Sequence, residues 1–573
     1  MSSQTVYFTN PSTISGIQSQ IGTIYNSPLF NVNNNLYTGT ANLINASLQS
    51  LMTCTGGTGA GQDANGIAHF GLFCVVGNAF SGNEVFTATG TINPTGVRWN
   101  ENHYVRLASQ SKIIGGMVVA KMMEEGYLSP LDSVSTYIPE FSGTGYYITY
   151  ATGTIGSFQS GPGSYTGTLA PYNLNTLTIA HLLGFQLGIP SSEFLTGRSL
   201  TVWQTTTPVD YALNYSYQEC IKALDLGRVL GASGCYAVGN GLRDSGYDGF
   251  YKSFGYVNGL LNDYILTLCN CLKKGSVILS FRPGELETGF NGLFVPIAQY
   301  GVAFTILSYL CNKALQLKGG PTLTQYIRDK LFTPLEINDG LWWGNCETGP
   351  SDRFSNTVEV SFRTAYTLYT GPFATGTQSP GLPLNTLVWS SQYPNTSYSS
   401  SIVPNPILQD PPNLNGGLIG KPSLYCKLLK LLINKGVYKN QAGQMIQVMS
   451  RPAVNWMFNS FGAAGQLYLA RSLYNSGTPT ANQVWCCGFT KQDDSLASSY
   501  NIENPGNIGF NQFPISTNLC NWGGFYGTAF CFDQDSGYYI CAGAQEPASG
   551  NNINTIDFQR QLVPLMSYAS RLN

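Results

Sequence analysis

The stretch "VRLASQSKIIGGMVVAKMMEEGYLSPLD", residues 105–132, decides the fold. After Lys112 its apolar residues recur at helical spacing, which predicts a helix with Gly126 as its C-terminal cap. Ser109 and Lys112 stand three residues apart where this helix begins, so their side chains share one face and can touch. About one S-x-x-K pair is expected by chance at this composition, so the pair carries meaning only with its context.

The patterns on either side of this helix predict the fold class. Before it, "GLFCVVGNAF" and "EVFTATGTI" are β-branched and aromatic runs separated by "SGN", as in a hairpin. After it come the helical patterns "LTIAHLL", "VAFTILSYLCNKALQL", "TLTQYIRDKLFTPL" and "SLYCKLLKLLINKG", then the strand patterns "GTAFCFDQD" and "GYYICAGAQ" and a last amphipathic helix in "NTIDFQRQLVPLMSYAS". We therefore predict an α+β fold with an antiparallel sheet built from both chain ends and flanked by helices.

Composition excludes several classes of partner. Charged residues make up 10% of the 573 residues, with a net charge of -2 and no basic run, so nucleic acid is not expected as a partner. The start "MSSQTVYFTNPSTISG" lacks an export signal, and no run of 18 apolar residues follows. We expect no membrane span, and a place in the cytoplasm or in a particle assembled inside the cell.

The chain offers few groups that could activate a serine. It has three histidines and no G-x-S-x-G turn, which argues against a Ser-His-Asp hydrolase of the α/β type. Its 14 cysteines are scattered without zinc-site spacing, so neither a metal nor another cofactor is predicted. The serine would have to be activated by Lys or Tyr, and a Lys can do this when its surroundings lower its pKa.

Four segments, in the same order along the chain, resemble the serine β-lactamase-related hydrolases. This family includes class C β-lactamases, DD-peptidases of the penicillin-binding-protein type, and β-lactamase-like esterases and acyltransferases. The similar segments are "YVRLASQSKIIGGMVVAKMMEEGYLSPLDSVSTYIPEF", "LTIAHLLGFQLGIP", "YGVAFTILSYL" and "NWGGFYGTAFCFD". The resemblance runs from about Gly66 to the end and implies a β-lactamase/transpeptidase-like fold. The W-G-G form of the last segment, expected to open a strand, is typical of the esterase and acyltransferase branch.

The resemblance also implies roles for particular residues. Ser109 would be the nucleophile, Lys112 its base, and Tyr300 would hydrogen-bond the serine and pass its proton to the leaving group. The backbone N–H groups of Ser109 and Phe525 would form the oxyanion hole. The substrate pocket would be formed by Trp522, Gly523, Gly524 and Tyr526.

Three departures from the family pattern leave alternatives open. Gly184-Phe185-Gln186-Leu187-Gly188 stands where the family often has "THTSG", which removes polar residues from beneath the site. Tyr300 lies in "AQYG" instead of the usual Y-S or Y-x-N. Ser109 alone could be a helix cap, and Trp522 could be a core aromatic instead of a pocket wall.

These patterns predict an organisation and two alternative functions. We expect an irregular extension over 1–60 and one hydrolase domain over 61–573. Its predicted parts are a sheet region at 61–108 and 515–573, a helical region at 109–345 and 416–514, and insertions at 191–290 and 346–415. The predicted function is a serine hydrolase of the esterase type, cleaving a small-molecule ester or amide through an acyl-enzyme on Ser109. The alternative is a structural protein of a lattice, fibre or virus particle, because so few charges favour homo-oligomers or larger assemblies.

Overall fold

The structure is a computed structural model. It describes residues 69–82, 84–151, 167–187, 300–344, 346–359, 361–363, 387–389, 411–459, 483–492, 519–524 and 527–545, together with Ile265 and Cys269. The predicted N-terminal extension, the C-terminal helix, most of the 191–290 insertion, Phe525 and Tyr526 lie outside these residues.

A seven-stranded antiparallel sheet forms the centre of the fold. The described part of the chain contains strands of this sheet and of smaller ones: β1 (Gly71–Asn78), β2 (Glu84–Gly90), β3 (Val105–Arg106), β4 (Thr144–Ala151), β5 (Gly167–Asn173), β6 (Leu341–Trp343), β7 (Ser361–Arg363), β8 (Leu387–Trp389), β9 (Leu418–Gly420), β10 (Val437–Lys439), β11 (Met445–Gln447), β12 (Gln483–Trp485), β13 (Thr490–Gln492), β14 (Leu519–Gly524), β15 (Thr528–Asp533) and β16 (Tyr538–Gly543). Seven of these strands form the large sheet, in the order β12-β13-β14-β15-β16-β1-β2. Strands from both ends of the described chain therefore pair at β1 and β16, which confirms the predicted α+β fold.

The helices cover this sheet and supply most of the core. They are α1 (Ser111–Glu124), α2 (Val134–Tyr137), α3 (Ile179–Leu183), α4 (Tyr300–Leu317), α5 (Leu323–Ile327), α6 (Arg353–Asn356), α7 (Pro422–Ile433) and α8 (Arg451–Met457). Helix α7 packs on β1, β15 and β16, and α1 packs against α4 and α8. No helix in the described part of the chain is long and apolar enough to cross a membrane.

Four smaller sheets occur among the described residues, and one of them adjoins the serine turn. The pairs β4-β5, β7-β8 and β10-β11 are separate antiparallel hairpins or ribbons. Strand β9 pairs on one side with β3 and on the other with β6. Because β3 ends two residues before the turn that carries Ser109, this three-stranded sheet fixes where that turn begins.

The large sheet differs from the sequence prediction in two places. It includes β12 and β13, which lie in the segment predicted to be helical, because these strands are too short to show a periodic pattern. Trp522-Gly523-Gly524 ends β14 and does not open a strand as expected. A tight turn with Gly527 at φ +71° separates β14 from β15, so the quoted segment contains a whole hairpin and not one strand.

Helix α1 is buried on nearly every side instead of presenting one apolar stripe. All residues from Ser111 to Ala120 are buried, which is the pattern of a central helix. A Cβ atom at Gly116 would overlap the carbonyl oxygen of Cys487, and one at Gly488 would overlap the carbonyl oxygen of Lys112. The turn after β12 is therefore held directly against the helix that carries Lys112.

We expect Gly116→Ala to lower the free energy of unfolding by about 2 kcal/mol, as overpacking of a core does. A Gly-to-Ala change inside a helix is otherwise stabilising, so a loss would come from the overlap with Cys487. Urea unfolding followed by circular dichroism measures the difference. A higher unfolding midpoint in the variant would contradict this account of the packing.

Candidate active site

Ser109 lies in a strained turn between β3 and α1. Residues 108–110 form a 3₁₀ turn, and Ala108 takes a left-handed φ of +50° although it is not glycine. The turn is held by the Ser111 hydroxyl, which donates to the Ala108 carbonyl at 2.7 Å, and by the hydroxyl of Tyr425, which donates to the Gln110 carbonyl at 3.1 Å. Left-handed non-glycine residues persist only where the surroundings hold them, and they cluster at active sites.

Lys112 brings its ammonium group to Ser109. The Nζ atom donates to Ser109 Oγ at 3.1 Å and to the Asn415 carbonyl at 2.8 Å. Lys112 is 0% exposed and Ser109 is 5% exposed, so both groups are largely removed from water. The ring of Phe304 lies 5.8 Å from Nζ and covers the ammonium with an aromatic face. The structure thus brings together the two residues that the sequence singled out.

The carbonyl that receives Lys112 belongs to a buried loop that the sequence did not indicate. Residues 411–417 are all buried, although 411–415 were included in the predicted insertion. Ser308 on α4 donates its hydroxyl within its own helix and accepts the amide N–H of Leu414 at 2.8 Å. The Trp343 indole donates to the Asn413 carbonyl at 3.0 Å. The loop is therefore fixed from two sides, and its position sets where the Lys112 ammonium is held.

The end of β14 approaches the Ser109 turn closely. A Cβ atom at Gly524 would overlap the Leu107 carbonyl oxygen, so only glycine fits at this contact. The Thr528 hydroxyl donates to the same carbonyl at 3.4 Å. Strand β14 as a whole contacts the 108–110 turn. The W-G-G segment and the serine turn consequently lie side by side, and the residue that follows Gly524 along the chain is the one predicted to complete an oxyanion hole.

Residue Tyr300 is the first residue of α4, one helical turn before Phe304. The catalytic role of the Tyr300 hydroxyl stays a prediction.

Aromatic residues form a continuous chain from Lys112 to the W-G-G segment. The Phe185 ring lies 5.7 Å from Phe304 and 4.6 Å from Trp485, and Trp485 meets Trp522 edge to face at 4.7 Å. Trp522 is partly exposed, so it is not a fully buried core residue. Phe185 stands in the segment that departs from the family's "THTSG" and takes a left-handed φ of +55°. The sequence showed the loss of polar residues here but not that Phe185 packs between Phe304 and Trp485.

Other reactive groups around the site are held inactive by burial. Desolvation raises the pKa of the Cys487 and Cys520 thiols well above the usual value, so both remain protonated. His181 is only partly buried, and its Nδ1 atom accepts the Thr178 amide N–H at 3.2 Å in a capping box. Burial lowers the pKa of His181, which keeps the imidazole neutral for this role. No cluster of His, Cys, Asp or Glu able to hold a metal occurs among the described residues.

Comparison with known proteins agrees with this fold. The fold and the buried Ser-Lys pair define a protein of the β-lactamase/transpeptidase-like class. Residues 75–202, which include Ser109 and Lys112, match the Beta-lactamase family model. This match and the shared fold support a serine β-lactamase-related family for the chain. No curated protein sequence matches it.

Solved structures share the fold at low sequence identity. Simvastatin synthase (LovD) from Aspergillus terreus is 12% identical, with 94% of this chain and 98% of that chain covered and a TM-score of 0.52. Its LovD6 mutant is 12% identical, with 100% of both chains covered and a TM-score of 0.51. EstCE1, described as a hydrolase with promiscuous acyltransferase activity, is 14% identical over 88% of this chain and 93% of that chain, with a TM-score of 0.48. At such identities the likeness shows the fold alone.

Proposed function

We propose that the protein is a serine hydrolase of the esterase type, which cleaves an uncharged ester or amide through an acyl-enzyme on Ser109. The observation that carries the proposal is the hydrogen bond of 3.1 Å between Lys112 Nζ and Ser109 Oγ in a site largely closed to water. A buried lysine three residues after a serine in a strained turn is an arrangement for nucleophile activation. Ser109 does not act as a helix cap, since its hydroxyl accepts a hydrogen bond from the Lys112 side chain and not from a backbone N–H of the helix.

The geometry supports a two-step acyl transfer. Ser109 Oγ attacks the carbonyl carbon of the substrate while its proton passes to Lys112, which must be neutral at that moment to accept it. The backbone N–H groups of Ser109 and Phe525 would stabilise the oxyanion. Collapse of the tetrahedral intermediate expels the alcohol or amine, protonated through Tyr300. Water then attacks the acyl-enzyme by the same route in reverse and frees Ser109.

The W-G-G segment favours an uncharged substrate. β-Lactamases and DD-peptidases usually have a Lys or His at its first position, followed by Thr-Gly, and that cation helps to hold a substrate carboxylate. Here Trp522 occupies the position with an apolar surface and one N–H donor. The aromatic neighbours of Trp522 continue this apolar surface. An ester with an apolar acyl group therefore fits the site better than a carboxylate-bearing β-lactam.

A fluorophosphonate probe tests the hydrolase proposal. We expect one adduct by intact mass, mapped to Ser109 by peptide analysis and absent from Ser109→Ala. Ser355→Ala is the control, because Ser355 is exposed and its hydroxyl donates to the Asp352 carbonyl at 3.0 Å beside α6 and takes no part in the serine turn. That variant should still be labelled at Ser109. A folded wild type without label would instead favour the assembly protein that the low charge content suggests.

A further inference from the structure

Of the four linked aromatic residues Phe304, Phe185, Trp485 and Trp522, only Trp522 is partly exposed. It lies on β14, the strand that contacts residues 108–110, and it is partly exposed. Its edge-to-face partner Trp485 is 4% exposed, with an angle of 70° between the two ring planes. An indole held by one buried partner presents a defined face to whatever binds beside Ser109.

Trp485 is itself fixed from three directions. Its Nε1–H group donates to the Leu183 carbonyl at 2.6 Å, at the end of α3. Its ring packs at 4.6 Å and 36° on Phe185. The turn that follows it in the chain is held against α1, where the Cys487 carbonyl leaves no room for a side chain at position 116. Trp485 therefore keeps a set distance from the helix that carries Lys112.

Phe185 connects this support to the lysine. It adopts φ +55°, a conformation disfavoured for a bulky residue, and it is 0% exposed. Its ring also contacts Phe304, which covers the Lys112 ammonium. Strain of this kind points to a function when the surroundings over-determine it. Here the strained residue Phe185 packs both on Phe304, which covers Lys112, and on Trp485, which supports Trp522.

We infer that Trp485 is a positioning residue that orients Trp522 as one wall of an acyl pocket and so makes the enzyme prefer longer apolar acyl groups. This inference rests on the proposed hydrolase function and narrows its substrate class to uncharged esters of acids larger than acetic acid. Phe304, Phe185, Trp485 and Trp522 are all uncharged, so this wall offers apolar contact and no ion pair to a carboxylate. Trp485 acts through Trp522 and need not touch the substrate.

The dependence of rate on acyl length tests this inference. For the wild type we expect kcat/KM on p-nitrophenyl butyrate to exceed that on the acetate by roughly tenfold, since each buried methylene contributes about fourfold at most. Trp485→Ala should lower this ratio to about twofold, mainly through KM for the butyrate, with kcat on the acetate within about threefold of wild type. Trp485→Phe, which keeps an aromatic edge but loses the donor to Leu183, should recover a ratio above that of the Ala variant.

Trp99→Ala is the control for a purely structural effect. Trp99 is also a buried tryptophan, packed on Phe73 of β1 at 5.4 Å and outside the aromatic chain. Its replacement should lower stability without changing the butyrate-to-acetate ratio. An unchanged ratio in Trp485→Ala, or an equal loss of kcat on both esters, would overturn the inference.

Binding separates this inference from the hydrolase proposal. In a Ser109→Ala background, calorimetric titration should show phenyl butyrate binding roughly tenfold more tightly than phenyl acetate, by the same methylene contribution. Adding Trp485→Ala should remove most of the difference. If Ser109→Ala alone bound the two esters equally, the inferred aromatic wall would be wrong even if the protein is an active hydrolase. Absence of fluorophosphonate label on the wild type would reject the proposed hydrolase function. The binding measurement would then decide by itself whether Trp522 forms an apolar wall.

Discussion

Lys112→Ala is expected to lower kcat on an aryl ester by about four orders of magnitude, because it removes the group that takes the proton of the serine. Lys112 is the side chain that meets Ser109 Oγ, at 3.1 Å, and the Asn415 carbonyl fixes it there. Steady-state kinetics with p-nitrophenyl butyrate measures the loss. Circular dichroism of the variant should remain that of the wild type.

Lys121→Ala is the matched control on the same helix. Lys121 lies near the C-terminal end of α1 and pairs with Glu124 at 3.4 Å, away from the serine turn. Partly exposed pairs of this kind contribute little, so its loss should leave kcat unchanged. A Lys112→Ala variant with activity near that of the Lys121 control would show that another group activates Ser109.

Tyr300→Phe should also lower kcat, and the double variant Lys112→Ala/Tyr300→Phe should be little worse than the poorer single variant. Residues that act in one proton-transfer chain give strongly non-additive losses. Losses that multiply would mean that the two side chains act in separate steps. Near-normal kcat in Tyr300→Phe would mean that another group passes the serine proton to the leaving group.

Neutral aryl esters are expected to be turned over with kcat/KM at least ~100-fold above that for a chromogenic cephalosporin, a gap of about 2.7 kcal/mol in transition-state binding. The reason is the exchange of a cation for Trp522 at the head of the W-G-G segment, because Trp can make apolar contact but cannot form an ion pair with a carboxylate. Parallel assays on the same enzyme stock measure both rates.

The variant Trp522→Lys is the complementary test of this preference. Restoring a cation at this position should narrow the gap, mostly by lowering the ester rate and raising the affinity for the cephalosporin. Comparable wild-type rates on the two substrates would show that a cation elsewhere holds the carboxylate. The esterase assignment would then be wrong.

Periodic signals in the sequence predicted the frame of this molecule. The first hairpin, α1, α4 and α7 all follow apolar patterns long enough to be read, and the Ser109–Lys112 spacing predicted their contact. What the sequence could not indicate depends on the backbone or on tertiary packing. The acceptor at Asn415 is a backbone carbonyl, which every residue type has, so no sequence pattern marks it. The strands β12 and β13 have three residues each and are too short to show a periodic pattern. Nothing in the sequence indicates that Phe185 has a left-handed φ or that its ring packs on Trp485.

The contact between Lys112 and Asn415 also constrains when the site can form during synthesis. The two residues are 303 positions apart in the chain, and Arg106, just before the serine turn, pairs with Gln545 across 439 positions. Contacts this distant in sequence slow folding, because long loops must close before they contribute. A nascent chain that has only just produced the serine helix lacks the acceptor that holds its lysine. Any activity that needs Lys112 in this position can therefore appear only after residue 415 has left the ribosome.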